Sequence, residues 1–477
     1  MIVGFGRARI VPPPRFDPQG FAARDRAVAD VDPELSVTVC VIRGSPDTVA
    51  IASADALAHT PAAAAAIRAR IADVVGCHVD AVLLSATHTH ASVWPGAEAK
   101  VSGESHDAWL PGEREFLDVL PATYGEAAVA ADRAGTECRV SWGVGNAPGW
   151  SVNRRQRTPD GGTVIGVNPD GYVDDSVVGL RFDDRDGGAV GLIVGYACHP
   201  VVLGPRVARA STDFVGPLRR AVEDMRGGMC LFLQGASGNV MPREALFDEP
   251  GPEVTLGRRI ALEALRAVAD RDPWPRSPRP LSVGSWTPTV VYRRVTDEPL
   301  PEQVVAVAAR VLEVPLSRPP SLDEARMEFA QRTRERQAAL EQGAPGSVTN
   351  GIDNQLRWLA ATIRAVEAGA APTAVEVELW AARIGDGVIV GVSAELFGEI
   401  GDAIRAASPS ITLVAGCCNG VLGYVPTAAE YPFGGFEVLA AHRVYGLPAA
   451  VAPEAARMIT ASARELLASL GATPSPG

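Results

Sequence analysis

Of 44 basic side chains only one is a lysine, Lys100, and histidine is scarce, with seven in 477 residues. The net charge is −12 and no long basic run occurs. That balance argues against nucleic acid and against anionic membrane surfaces as partners. No window approaches the roughly 20 apolar residues that cross a bilayer. The opening Met1-Ile2-Val3-Gly4-Phe5-Gly6 lacks a basic stretch followed by an apolar core, so no signal peptide is expected. The seven cysteines are odd in number and irregularly spaced, with no Cys-x-x-Cys. They read as reduced, mostly buried thiols of a cytoplasmic protein, the adjacent Cys417 and Cys418 included. Internal repeats and long low-complexity segments are also missing. A small-molecule substrate is the partner class left, with homo-oligomerisation open. Arginine in place of lysine, with abundant alanine, points to a GC-rich bacterial gene.

What is present is a globular composition, 47% hydrophobic and 21% charged. Short apolar runs recur, each followed by a turn and often by a helical pattern. Residues 37–41 and 48–52 read as an opening strand pair, 56–75 as an alanine-rich helix, and 81–85 as a strand. Residues 113–134, 213–225, 252–270 and 453–470 read as helices. Residues 177–182 and 190–197 form a hairpin pattern, and 229–233, 374–383, 387–392 and 412–415 are further strands. After the proline-rich 272–280 the texture changes, and 297–369 is polar with opposite charges at helical spacing. The expected fold class is α/β: mixed β-sheets flanked by helices in one catalytic domain spanning 1–477, with 297–369 as an inserted helical arm or lid.

Several apolar runs end in residues that carry chemistry. "AVLLSATHTH" ends in His88 and His90, "GLIVGYACHP" in His199, "CLFLQGASGN" in Gln234, Ser237 and Asn239, "GVIVGVSAEL" in Glu395, and "ITLVAGCCNGVLGY" in Asn419 and Tyr424. Loops beyond strand ends form the ligand crevice of α/β sheets. Imidazoles and a carboxylate arriving there from separate strands make a candidate zinc site, because both donor types bind zinc and neutral histidine is available at ordinary pH. In an extended segment residues two apart share a side, so His88 and His90 would face one pocket. Each residue also has a plain structural reading: a core histidine for His199, a helix-dipole partner for Glu395, a packing aromatic for Tyr424. Ser237 stands near a nucleophile-elbow pattern, but Asn239 occupies the place of its last glycine.

The order and spacing of these motifs resemble the N-terminal catalytic domain of the neutral (neutral/alkaline, non-lysosomal) ceramidase family. The likeness runs from the opening "VGFGRARIVPP" through Thr87-His88-Thr89-His90, Asn153-Arg154, His199, Ser211-Thr212-Asp213 with Gly216, and Ser393-Ala394-Glu395. It ends with Tyr424-Val425-Pro426-Thr427, Glu430-Tyr431 and Gly435-Phe436-Glu437. The resemblance implies zinc held by His88, His199 and Glu395, with Tyr424 close or ligating, and His90 lining the site. It departs where the family carries Gly-Asp-Val-Ser-Pro: here Gly238-Asn239-Val240-Met241-Pro242 puts a methionine where the serine acts, and methionine has no proton to give. The family's C-terminal immunoglobulin-like domain and signal peptide are not expected here either.

The resulting expectation is a zinc-dependent hydrolase of an amide or related acyl bond in a small polar substrate rather than ceramide, working through a zinc-bound water. His90 supplies the proton to the leaving amine, while zinc, Tyr424 and His90 stabilise the oxyanion. Arg154 anchors a carboxylate or carbonyl with Asn153 and Trp94 beside it, and Asp213 orients a histidine. The alternatives are a serine hydrolase using Ser237, a non-catalytic metal-binding relic, and an acyl transferase.

Overall fold

Valines 37, 39 and 41 point to one face of their strand and Cys40 and Ile42 to the other, and all five are buried. A strand buried on both faces must lie inside a layered molecule. The computed structural model describes residues 1–12, 20–21, 30–93, 113–283, 290–296 and 300–471. The larger sheet has eight strands: β1 (Ile2–Arg9), β2 (Ser36–Arg43), β3 (Thr48–Ala54), β4 (Val82–Ala86), β5 (Thr136–Asn146), β6 (Ser176–Asp184), β7 (Ala189–Tyr196) and β8 (Met229–Gln234). Their spatial order is β8-β7-β6-β5-β1-β2-β3-β4. The smaller sheet is β9 (Val305–Pro315), β10 (Ala374–Ile384), β11 (Gly387–Val392) and β12 (Thr412–Ala415), paired in that order. The fold is α/β with mixed sheets. Most neighbours are antiparallel, but β3/β4, β7/β8 and β11/β12 run parallel.

The two sheets pack face to face through Phe5, Cys40, Ile42, Leu231 and Leu233 on one side and Trp380, Ala382, Ile389 and Leu413 on the other. Helices cover the outer faces. Helices α1 (Pro61–Val75) and α2 (Glu113–Arg133) lie on the β1–β4 half of the larger sheet, and α3 (Val215–Arg226) and α4 (Pro252–Ala269) on the β5–β8 half. Helices α7 (Gly398–Ala406) and α8 (Ala455–Ser469) cover the smaller sheet. Local signals fix where helices begin. The Thr60 hydroxyl accepts from the Ala63 amide, Pro61 opens α1, and Gly76 closes it in the left-handed region at φ 70°. Residues 56–60, expected within that helix, precede the cap.

The segment 297–369 is not helical throughout. Val305–Pro315 is a strand, antiparallel to Ala374–Ile384 along its whole length. Its alanine-rich, half-exposed sequence hides the alternation that marks an ordinary strand. The helical part is a hairpin, α5 (Leu322–Glu341) and α6 (Gly346–Glu367), opened by a reciprocal Ser321/Glu324 capping box. Among the described residues no helix is long and apolar enough to cross a membrane.

Candidate metal centre

The three parallel strand pairs aim their C-terminal ends at one place. Chain leaving β4 delivers His88 and His90, chain leaving β7 delivers His199, and chain leaving β11 delivers Glu395. Tyr424 arrives by direct pairing, since Glu395–Leu396 and Tyr424–Val425 form a short parallel ladder with Glu395 opposite Tyr424. Residues 240–242 knit the other side: the Val240 carbonyl accepts the His199 amide, and Val240 pairs with Asn153. His88 does not leave its strand in the extended form that the spacing predicts. It adopts φ 67°, a conformation uncommon outside glycine, and its amide is held by the Ala56 carbonyl. Its ring still meets that of His90, with centroids 5.0 Å apart.

Four polar atoms converge. Glu395 Oε2 lies 3.1 Å from His88 Nε2 and 3.2 Å from His199 Nε2. The two Nε2 atoms are 3.2 Å apart, and the Tyr424 hydroxyl is 3.3 Å from His199 Nε2. The opposite nitrogens decide the tautomers. His88 Nδ1 faces the Leu57 carbonyl at 2.7 Å, and His199 Nδ1 faces the Ser237 carbonyl at 2.7 Å. A carbonyl only accepts, so each Nδ1 carries a proton, and each ring, when neutral, turns its Nε2 lone pair inward. Glu395 Oε2 is buried and has no hydrogen-bond donor. Two imidazole lone pairs and a carboxylate oxygen at these distances repel one another unless a cation or a shared proton sits among them. The donor set fits zinc, and His88, His199 and Glu395 with Tyr424 are the residues that would hold it.

The electrostatics agree. Burial alone would raise the Glu395 carboxyl, but His88 and His199 outweigh it and hold it well below the usual range. Burial, then Arg154, pushes His199 down to about 3. Burial also works against a charged His88, but the Cys417 thiol and Glu395 overcome it and raise that imidazole. Without a metal the cradle holds its positive charge as a proton on His88 beside Glu395, and a bound cation would take that proton's place.

His90 lies beside this cradle. Ligand nitrogens of His88, His90 and His199 all fall within 4.8 Å of one another. His90 Nδ1 is 2.9 Å from the Gly20 carbonyl, and its ring packs 5.2 Å from Phe21. Arg154 is buried, donating to Glu437 from Nε at 2.9 Å and to the Tyr424 hydroxyl from Nη2 at 3.0 Å. Those contacts direct its charge through Tyr424. Asn153 is turned to the backbone, receiving the Arg155 amide and donating to the Tyr172 carbonyl. Asp213 accepts the Leu203 and Phe214 amides, and burial raises its carboxyl to about 7. Backbone carbonyls, not Asp213, orient both imidazoles. Trp94 falls outside the described residues. The Ser237 hydroxyl accepts from Gln234 Nε2 at 2.6 Å, while only its carbonyl meets a histidine. Met241 packs with Val152, Val201 and Phe21, an apolar wall next to His90.

Three further residues join the site without having been picked out as part of it. Glu437 grips both Arg154 and Arg155. The Cys417 thiol lies against His88. Tyr445 donates from its hydroxyl to Glu395 Oε1. Glu437 had a sequence signal in the Gly435-Phe436-Glu437 step, whereas Cys417 and Tyr445 had none specific to the site.

No family model matches the chain. No curated protein matches it either. Solved structures do. Over its full length the chain is similar to a ceramidase complexed with C2, at TM-score 0.68 and 15% identity, covering 76% of that chain. It is likewise similar over its full length to the neutral ceramidase from Pseudomonas aeruginosa, at TM-score 0.64 and 17% identity, covering 75% of that chain. Two whole-chain superpositions on one family identify the architecture: this protein has a neutral ceramidase-like fold.

Proposed function

We propose that this protein is a zinc-dependent hydrolase of an amide or related acyl bond in a small polar substrate. The observation that carries the reading is the convergence of His88 Nε2, His199 Nε2 and Glu395 Oε2, with both Nδ1 protons committed to carbonyls. The structural neighbours are ceramidases, which favours an acyl bond over other hydrolysable bonds. Zinc held there supplies a Lewis acid and an activated water near neutral pH.

The chain's own residues do the rest. Arg154 donates to the Tyr424 oxygen, leaving the phenolic proton to point at developing negative charge. Glu437 fixes that guanidinium from behind, so Arg154 acts through Tyr424. His90 keeps a proton on Nδ1 against Gly20 and uses Nε2 to carry a proton to the leaving group. Met241, Val152 and Val201 keep water from that side. The Ser237 alternative is disfavoured, because its hydroxyl is engaged by Gln234 and not by an imidazole base.

Metal analysis of protein purified without added metal tests the reading, with about one zinc per chain expected. His88→Ala and His199→Ala should each lose most of it while remaining folded. Turnover of short acyl amides should vanish with a chelator and return with zinc. Stoichiometric zinc in the double variant would remove the site as drawn.

A further inference from the structure

The two oxygens of Glu395 have different surroundings. Oε2 faces His88 and His199, whereas Oε1 takes the proton of the Tyr445 hydroxyl. A carboxylate offering both oxygens to zinc would fill the position a hydrolase keeps exchangeable. A donor fixed on Oε1 prevents that by drawing off its charge and pinning the group's rotation. Resting on the zinc reading above, we propose that Tyr445 is a positioning residue that holds Glu395 as a one-oxygen ligand, and that the α5–α6 hairpin braces Tyr445 in place.

The geometry around Tyr445 supports both halves. Its ring is buried and meets the Tyr424 ring edge-on at 6.3 Å. Gly423, at φ 132°, lies flat beside it, and a side chain there would put a Cβ 3.1 Å from the Tyr445 ring. Gly423 also takes the Glu395 amide on its carbonyl, so one turn of chain fixes both partners of the hydrogen bond. The residues flanking Tyr445 are held by the helical hairpin. The Trp358 indole of α6 donates to the Leu447 carbonyl at 2.8 Å, and its ring meets His442 at 5.5 Å. Glu328 of α5 takes Arg443 on both oxygens, at 2.6 and 3.2 Å, while the Arg443 guanidinium lies 4.3 Å over Trp358. The hairpin has a small core of its own, Ala325, Trp358 and Leu359 with Phe329 and Ile363 against them. Through Trp358 and Glu328 the hairpin thus holds chain on both sides of Tyr445.

The test is zinc affinity of the full chain, measured by competition with a chelating indicator, with urea unfolding of the zinc-free proteins as the folding check. Tyr445→Phe removes one oxygen and keeps the ring. It should weaken zinc binding by about 10- to 100-fold, the usual effect of losing a partner of a metal ligand. X-ray absorption at the zinc edge should show an added oxygen neighbour as Glu395 turns both oxygens inward. Trp358→Phe keeps an aromatic in the hairpin core and should weaken zinc by about 2- to 30-fold through the brace. If Tyr445→Phe does not fold, Trp358→Phe still tests the brace, and Tyr445→His, which keeps a ring nitrogen able to donate to Glu395, tests the positioning role by the same zinc affinity, expected to fall less than the range given for Tyr445→Phe. Unchanged affinity and zinc edge in a folded Tyr445→Phe would overturn the positioning role while the zinc reading stood. Unchanged affinity in Trp358→Phe would overturn the brace. A wild-type chain that takes up no zinc would overturn the zinc reading first and this inference with it.

Discussion

At the scale of single residues, His88 and His90 occupy different places within one motif. His88 points Nε2 into the cradle with Glu395, whereas His90 is tied to Gly20 at the rim and packs on Phe21. Two imidazoles, a carboxylate and a phenol would already crowd the proposed zinc ion, which must keep one place for water. His90→Ala should therefore retain near-full zinc and lose roughly 100-fold or more in turnover, mostly in kcat. Zinc content and steady-state rates measured on one preparation check this, and loss of metal would reassign His90 as a ligand. These residues were legible because rare, chemistry-bearing side chains stand at the ends of apolar runs. Tyr445 and Cys417 were not. A tyrosine after a short helix and a cysteine in a buried turn look like packing residues until distant chain brings them to Glu395 and His88. The positive φ of His88 was hidden too, since no glycine marks the turn by which the chain leaves β4.

At the scale of elements, the clear successes were strands and helices with strong periodicity or caps, such as Ser36–Arg43, Pro61–Val75 and Pro252–Ala269. Alanine defeated the reading at Val305–Pro315, because it fits either period and the strand is only half buried. The opening strand holds a subtler message. Gly4 and Gly6 let α2 lie directly on β1: a Cβ on Gly4 would sit 2.0 Å from the Ala131 carbonyl oxygen, and one on Gly6 would sit 2.3 Å from Ala127 O and Ala131 N. These are backbone atoms of a helix and cannot turn aside. Gly6→Ala should cost about 3 kcal/mol by overpacking. Gly351, inside α6 with nothing within 4 Å of a would-be Cβ, should respond with the opposite sign, Gly351→Ala gaining about 0.5–1 kcal/mol from helix propensity. Urea unfolding of the two variants reads both. Equal, small effects would mean that α2 rides on β1 more loosely than these contacts require.

At the scale of the whole molecule, covering both sheets with helices buries polar groups as well as apolar ones, and that sets how the protein meets acid. His59 sits between β3 and α1, with Nε2 2.6 Å from the Tyr124 hydroxyl. Burial pushes its imidazole down from 6.5 to about 3. The folded protein thus keeps His59 neutral where the unfolded chain protonates it. Below pH 6.5 the unfolded state binds more protons, so stability is lost as pH falls from 6.5 toward 3. From pH 7 to 5 this one group should remove about 2 kcal/mol. Asp213 acts in the reverse sense. Burial raises it to about 7, so between roughly 4 and 7 the folded state holds the extra proton and gains stability as pH falls. The two effects oppose in the wild type, and a variant separates them. His59→Gln should be less stable than wild type at pH 7, since the bond to Tyr124 is weakened, yet its loss between pH 7 and pH 5 should be smaller by about 2 kcal/mol. Urea titrations of both proteins at the two pH values measure that difference, in which contributions from Asp213 and from release of any bound metal cancel. Parallel losses would mean that His59 takes up its proton while folded, and that the layer between β3 and α1 admits water.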